Sequence, residues 1–337
     1  MLYVGYIGRR VVAALVVMFA VVTATFLLSH AIPATPARAV VGVHAGAAQV
    51  RAAKKQLGLD RPLWAQYFSY LAGVLHGNLG ISYMSRTAIA PQLLAAVPAT
   101  LELVLYSFVV CAVVGVIAGM VEAWRPRHLS THVFRGGSMV GAALPVYWFA
   151  MILQLVFAAR LGWFPITGQL STGVNPPPHI TGIYTLDALV TGHWGTFENA
   201  AWHLVLPVVS LVAWMLALTS RVSEKSFADE LARPYVQTAL ARGAGTQRLL
   251  WRHVMRNALN PIITILGLEF GWLLGGTMLV EVVFSWPGIG SYMYQAIENF
   301  NYPVIVAVTL VITTGFVLVN LVVDLLYLVL DPRVRAR

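Results

Sequence analysis

Apolar residues in this chain gather into runs too long for the core of a soluble fold. A helix rises about 1.5 Å per residue and must cross about 30 Å of hydrocarbon, so about 20 consecutive apolar residues mark a candidate span. Six such runs occur, roughly Val11 to Ile32, Leu101 to Ala123, Gly136 to Ala159, His203 to Ser220, Pro261 to Phe284 and Pro303 to Leu330. Strands of a membrane barrel would be shorter and would alternate apolar with polar positions. The pattern therefore predicts an all-α, polytopic membrane protein with six transmembrane helices. Pro207 interrupts the fourth run, which membrane helices tolerate better than soluble ones.

The segments between the runs divide the chain further. Residues 1–32 read as a cytoplasmic N-terminus with the first span, and 33–98 as an extracytoplasmic insertion. A five-helix core over 99–330 contains a cytoplasmic segment, 221–260, and is followed by a short tail, 331–337. Within the insertion, Gln49 to Leu59 reads as a helix and Leu63 to Leu75 as a second, aromatic one. Trp163 to Trp202, with Pro176-Pro177-Pro178 and scattered glycines, reads as an irregular cap.

Composition agrees with a lipid solvent: 58% of residues are hydrophobic and only 10% are charged. Soluble folds carry about 25% charged residues, so a soluble protein is excluded. The formal net charge of +9 then points to loops beside anionic lipid and not to nucleic acid. Placing the N-terminus in the cytoplasm puts fifteen of the 22 Lys and Arg inside. Of the seven left outside, six fall in the long 33–98 connection, where the positive-inside rule loses force. Both termini are expected in the cytoplasm, with the chain in the prokaryotic inner membrane. The first run exceeds the roughly 7–15 apolar residues of a cleaved signal, which favours a retained span. The single cysteine, Cys111, lies in an apolar run, so a redox role is not expected.

Catalytic chemistry is sparse. A nucleotide-binding G-x-x-x-x-G-K-[ST] loop is absent, and none of the three lysines, Lys54, Lys55 and Lys225, follows a glycine. Any ATP must be handled by another chain. His128 and His132 have metal-compatible spacing but no Glu between them and no third ligand nearby, so no metal site is expected. Acidic groups in lipid are costly. Glu102, Glu122 and Asp324 read as span-end residues that reach headgroup water. Glu269 lies about eight residues into the fifth run and should face either a wet pathway or a Ser, Thr or Asn partner. Gly267, Gly271 and Gly275 recur every four positions, a face able to approach a neighbouring backbone.

Between the fourth and fifth runs lie about 40 residues, far more than a tight connection needs. Phe227, Leu231 and Tyr235 share one helical stripe, Gly243-Ala244-Gly245 breaks it, and Thr246 can cap a second helix. In that helix Leu249, Leu250, His253, Val254 and Asn257 form one stripe and Arg248, Arg252 and Arg256 another. The reading is a protruding elbow that docks into another protein, with a helix lying on lipid headgroups as its alternative.

Tyr235-Val-Gln-Thr-Ala-Leu-Ala-Arg-Gly243, followed by Trp251-Arg-His-Val-Met-Arg-Asn-Ala-Leu-Asn-Pro261, resembles the coupling signature of ABC importer permeases of the dipeptide and oligopeptide group. Gln56 to Leu63, Gly77 to Gly80, Pro98 to Leu103, Leu161 to Pro165, Phe284 to Gly290 and Asp331 to Arg333 are similar to that group's first permease subunits, in the same order. The resemblance covers essentially the whole chain and implies a type I importer permease fold. It implies alternating-access uptake of di- or oligopeptides beside a second homologous permease, two ATPase subunits that hold ATP and Mg, and an extracytoplasmic binding protein. Nickel, glutathione, heme, glycosides or another non-peptide solute remain alternative cargoes, and a proton-coupled carrier using Glu269 is the rival of another class. The resemblance assigns coupling to Tyr235, Ala239, Arg242, Gly243 and His253. Where the general permease motif begins Glu-Ala-Ala, this chain has Gln237-Thr238-Ala239, so a carboxylate contact there is not implied. Trp286, Pro287, Gly288 and Gly290 are expected to turn the chain at the outer mouth, with Trp286, Tyr292 and Tyr294 at the membrane interface.

Overall fold

The computed structural model describes residues 2–31, 37, 41–42, 45–56, 58–243, 245 and 249–330. Thr246 and the 331–337 tail, with Arg333 in it, lie outside the described residues, as does the side chain of Asp324. The regular elements among the described residues are all helices, with an isolated antiparallel bridge between Ile81 and Ala88. In order come α1 (Leu2–Ala31), α2 (Ala47–Gln56), α3 (Leu63–Leu75), α4 (Ile89–Trp124), α5 (Leu129–Ala143) and α6 (Val146–Leu153), the last continuing as a π-helical segment, Gln154–Arg160. Next are α7 (Tyr184–Val190), α8 (Trp194–Leu231) and α9 (Pro234–Ala241). A second π-helical segment, Leu249–Val254, leads into α10 (Met255–Gly276), with α11 (Met278–Val283), α12 (Ile289–Glu298) and α13 (Tyr302–Leu330) after it.

Over their described residues all six apolar runs fall on helices, the third broken at Leu144 and Pro145 and the fifth at Thr277. Four described helices, α4, α8, α10 and α13 as far as Val322, are long and apolar enough to cross a membrane. Helix α5 with the α6 segment, bent by 110°, makes a fifth if counted as one broken span. In α1 the stretch Leu15–Leu27 is apolar but shorter. Pro98, Pro207 and Pro261 all sit inside helices. At 38 residues α8 is about 57 Å long, nearly twice the hydrocarbon thickness, so its polar end from Ser223 to Glu230 projects well past the apolar run.

Two compact units are distinguished, Met1–Thr100 with Pro287–Val317, and Leu101–Trp286 with Leu318–Arg337. In the first, Ile89, Leu93, Ala96, Ile289, Ala296, Val304, Ala307 and Val308 form the core. Asn301 ties the 82–83 loop to it, its Nδ2 donating to Ser82 Oγ (2.8 Å) and its Oδ1 accepting from Tyr83 N (3.1 Å). Helix α3 lies along α1 through Tyr67, whose hydroxyl shares a 2.6 Å hydrogen bond with Thr23 and whose ring packs edge-on against Phe26.

In the second unit α8 is the hub, packed by α5, α6, α7 and α10. Glycines permit the closest approaches. A Cβ on Gly115 would lie 2.7 Å from Thr219 Cγ2, one on Gly119 2.4 Å from Ser223 Cβ, and one on Gly141 2.9 Å from the Ala213 carbonyl oxygen. Gly115 and Gly119, four apart on α4, thus form the close seam against α8. On α10, Gly267 and Gly271 are buried but Gly275 is exposed, so the expected small-residue face is only partly inside.

Two acidic residues expected to reach headgroup water do not. Glu102 is 1% exposed and fully bonded: Gln169 Nε2 donates to Oε2 (2.9 Å), and Thr185 N and Oγ1 donate to Oε1 (2.8 and 2.7 Å). Glu122 is 2% exposed. The helices extend beyond the apolar runs and fold against one another, which buries side chains that the runs alone place at an end. The expected irregular cap contains α7 and the start of α8. Within it Phe164 stacks on Trp202 at 4.7 Å, and Trp202 Nε1 donates to the Trp163 carbonyl (2.9 Å).

Asp187 organises that cap by accepting from the N–H groups of Ile180, Thr181 and Gly182 and from the Thr181 hydroxyl. Burial pushes its carboxyl up, but these donors outweigh burial and leave it below the ordinary carboxylate value. A depressed folded value means that its stabilisation is complete above the unfolded value near 3.9 and is lost as pH falls through the folded one. Asp187→Ala is expected to lower stability by about 2–3 kcal/mol at neutral pH, with the difference from wild type shrinking below about pH 4. Thermal unfolding of both proteins across pH checks this.

Candidate functional site

Helix α9 and its flanks form the elbow. The single stripe expected over Phe227, Leu231 and Tyr235 is interrupted, since α8 ends at Leu231 and α9 begins at Pro234, whose missing N–H suits a first helical position. Phe227 and Val236, not Tyr235, point into the core, which they share with Met120, Leu249, Leu250, Val254, Ala258, Ile262 and Leu266. Ala239 packs on the same cluster. The buried stripe after the elbow is thus Leu249, Leu250, Val254, Ala258 and Ile262, in place of one ending at Asn257. The π-helical turn explains the change: it takes up an extra residue and rotates α10 relative to a continuous 3.6-residue helix.

Tyr235 and Asn257 are turned outward into a three-way junction. The Tyr235 hydroxyl donates to Glu230 Oε1 (2.7 Å), and Asn257 Nδ2 lies 3.1 Å from the same oxygen and 3.2 Å from the phenol. Burial, then the Glu230 carboxylate, raise the Tyr235 phenol above its ordinary value, which keeps it the donor. One contact set thereby joins the end of α8, the start of α9 and the first turn of α10. Ser226 Oγ adds a bond to the Ala258 carbonyl (2.7 Å).

Gly243 has φ +77° and open space around the position of a Cβ. Its requirement is therefore conformational and not steric. Arg242 is exposed, free to meet another surface. The His253 side chain lies outside the described residues, although its backbone belongs to the π-helical segment.

Further along the same helices, Thr219 Oγ1 donates to Glu269 Oε2 (2.5 Å), and Cys111 Sγ lies 3.4 Å from the Thr219 hydroxyl. A hydroxyl has one proton, so with Thr219 donating to Glu269 the thiol is left as donor to Thr219. The relay links α4, α8 and α10, and Phe108 meets Phe270 edge-on at 5.0 Å beside it. Glu269 is 4% exposed and lines an open cavity of about 450 Å³ with Trp214, Leu218, Arg221, Leu268 and Trp272. The expected hydroxyl partner is thus Thr219, and the residue also borders a cavity.

Trp286, expected at the membrane interface, is 1% exposed. Ser285 adopts φ +48°, and Trp286 N returns to the Glu281 carbonyl (2.7 Å), which folds the indole inward. Glu281, absent from the sequence-based candidates, is fully buried and accepts from Thr277 Oγ1 (3.0 Å). Its position in the apolar run was the available signal. Pro287 is exposed, whereas Gly288 and Gly290 are buried at the start of α12. Gly288 is extended, and Ile289 N donates to Thr100 Oγ1 (2.8 Å). Tyr292 and Tyr294 are bonded to Gln92 and Glu298.

Residues 112–336 match the model of the binding-protein-dependent transport system inner membrane component, and residues 3–104 match the N-terminal model of such membrane components. The chain is 35% identical to the dipeptide transport system permease protein of Alkalihalophilus pseudofirmus, over 98% of this chain and 99% of that one. It is 36% identical to the di/tripeptide transport system permease protein of Pseudomonas aeruginosa, over 98% of both. A glutathione transport system permease protein of Escherichia coli is 34% identical, over 98% of this chain and 99% of the other. With multiple apolar helices and matches across nearly its whole length, the chain belongs to the binding-protein-dependent transport system inner membrane component family.

Proposed function

We propose that this chain is one of two permease subunits of an ABC importer for di- or oligopeptides, served by an external binding protein and driven by two separate ATPase subunits. The observation that carries the reading is the elbow. Helix α9 is fixed to α8 and α10 by the Glu230, Tyr235 and Asn257 junction on its outer side and by Val236 in the core on its inner side. A partner that grips Ala239, Arg242 and the Gly243 turn would therefore move both long helices together.

Those helices carry the Thr219–Glu269 contact and the walls of the 450 Å³ cavity. Closure of ATP-bound partners would be felt there as a change in cavity shape, the two-state requirement of alternating access. Arg242 supplies positive charge on an exposed surface, which suits an acidic groove on the ATPase. Both termini and the elbow belong on the cytoplasmic side in this reading, with residues 33–98 and α12 outside. The relatives named for dipeptide and di/tripeptide transport support a peptide cargo. The glutathione relative marks the main competing substrate.

Uptake by vesicles that contain the purified complex tests the reading. Radiolabelled alanyl-alanine is expected to enter when ATP reaches the ATPase subunits and binding protein is present outside, and to be displaced by other dipeptides but not by nickel or heme. A proton gradient without ATP is expected to drive none. Uptake on the gradient alone would make the protein a proton-coupled carrier, and displacement by glutathione alone would reassign the cargo.

A further inference from the structure

A second cavity, of about 220 Å³, lies between α4, α5 and α8; it shares Ala217 and Arg221 with the Glu269 cavity but has more charged groups in its lining. Glu122, Arg135, Ser220, Arg221 and Glu224 border it. The Gly119 approach, three residues before Glu122, presses α4 onto α8 here, so the lining is held by close backbone packing. Arg135 Nη2 meets Glu224 Oε1 at 2.6 Å, while Arg135 Nε is buried without a partner. The Glu224 carboxylate stands beside that of Glu122. Glu122 is 2% exposed, and among the described residues its carboxyl meets that of Glu224 while its Oε1 receives no N–H or hydroxyl donor. Arg221 is exposed and pairs with no acidic group among the described residues.

Two carboxyls in contact repel each other unless a proton or another positive group lies between them. With two carboxyls and two guanidiniums, the cavity offers groups of both signs. A bare cation would be repelled by two arginines and a bare anion by two glutamates. A ligand carrying both signs satisfies the lining, its ammonium with three donors meeting Glu122 and its anionic group meeting Arg221. We propose that the cavity ringed by Glu122, Arg135, Arg221 and Glu224 is a binding site for a small zwitterion with a primary ammonium. Two sources share this chemistry, the charged end of a short peptide and an ethanolamine phospholipid headgroup. Glu224 precedes the junction residue Glu230 by six positions, about 9 Å along α8, so an occupant sits within reach of the elbow.

Equilibrium binding tests the site without transport, so its failure leaves the import reading standing, and failure of import leaves this test intact. The whole permease and ATPase complex, without binding protein, is placed in phosphatidylcholine nanodiscs and titrated with radiolabelled alanyl-alanine and with its N-acetyl derivative. A parallel set replaces part of the phosphatidylcholine by phosphatidylethanolamine, and thermal unfolding is measured in both. Glu122→Gln and Arg221→Gln are compared with wild type; the second lies at the exposed edge, where folding is not at stake. Alanyl-alanine that binds and weakens roughly tenfold on N-acetylation, and again in the variants, supports the site with a peptide as occupant. An unfolding midpoint raised by phosphatidylethanolamine in wild type but not in the variants supports it with a lipid occupant. The proposal is overturned if neither alanyl-alanine binding nor the phosphatidylethanolamine shift responds to either substitution, or if the N-acetyl peptide binds as well as the free one and phosphatidylethanolamine gives no shift.

Discussion

Gly119→Val is expected to abolish assembly of a stable permease. Even the first carbon of a side chain at this position would lie 2.4 Å from Ser223 Cβ and 2.7 Å from both Glu224 N and the Ser220 carbonyl oxygen. Two of those three atoms are backbone of α8, the helix on which α5, α6, α7 and α10 also pack, so relief requires the seam between α4 and α8 to open. Overpacking a side chain alone costs about 1–3 kcal/mol, and displacing a helix that holds four others should cost at least the top of that range. Gly136, with nothing within 4 Å of its Cβ position, is the matched control, and Gly136→Ala should stay within about 1 kcal/mol of wild type. Folded yield by size-exclusion chromatography and the thermal midpoint read both. Wild-type yield for Gly119→Val would show that the α4–α8 seam is not as described.

Glu269→Gln is expected to lower peptide uptake severalfold while the complex assembles and basal ATP hydrolysis persists. The amide oxygen can still accept from Thr219, so the relay through Cys111, Thr219 and position 269 survives and only the ionisable group is lost. In the cavity that Glu269 borders with Trp214 and Trp272, a carboxylate would give a passing amino terminus a weak counter-charge that does not trap it. Glu269→Leu serves as the packing control, since it strands the Thr219 hydroxyl and should reduce stability as well as uptake. Uptake in vesicles, normalised to assembled complex, separates the two variants. Unchanged uptake in Glu269→Gln would make the residue a structural acceptor.

The long elements were legible because length and periodicity are local properties. The six apolar runs all fall on helices over their described residues, and the aromatic stretch Leu63–Leu75 forms α3 with those same limits. Exits from lipid were less legible. Glu102 and Glu122 stand near the ends of an apolar run, but burial depends on segments that arrive from elsewhere in the chain, the loop residue Gln169 and Thr185 of α7 for one and α8 for the other. The stripe after the elbow was misplaced by a π-helical turn, which a fixed 3.6-residue period cannot represent. Trp286 has the usual habit of aromatic residues at an interface, but a positive φ at Ser285 turns it inward. The seam glycines Gly115 and Gly119 carry a plain four-residue spacing. Distinguishing them from Gly267, Gly271 and Gly275 requires knowing which helix is the hub.

Coupling at the elbow is the central claim, and the number of peptides imported per ATP hydrolysed measures it most directly. In one preparation of vesicles, this ratio is compared for wild type, Asn257→Leu, which cuts α10 from the Glu230–Tyr235 pair, and Gly243→Val, which a φ of +77° disfavours. Both variants are expected to hydrolyse ATP at a rate close to wild type while the ratio falls about tenfold, because the ATPase still cycles but its closure no longer moves α8 and α10 as one. A ratio unchanged from wild type in both, with uptake and hydrolysis rising or falling together, would contradict the account.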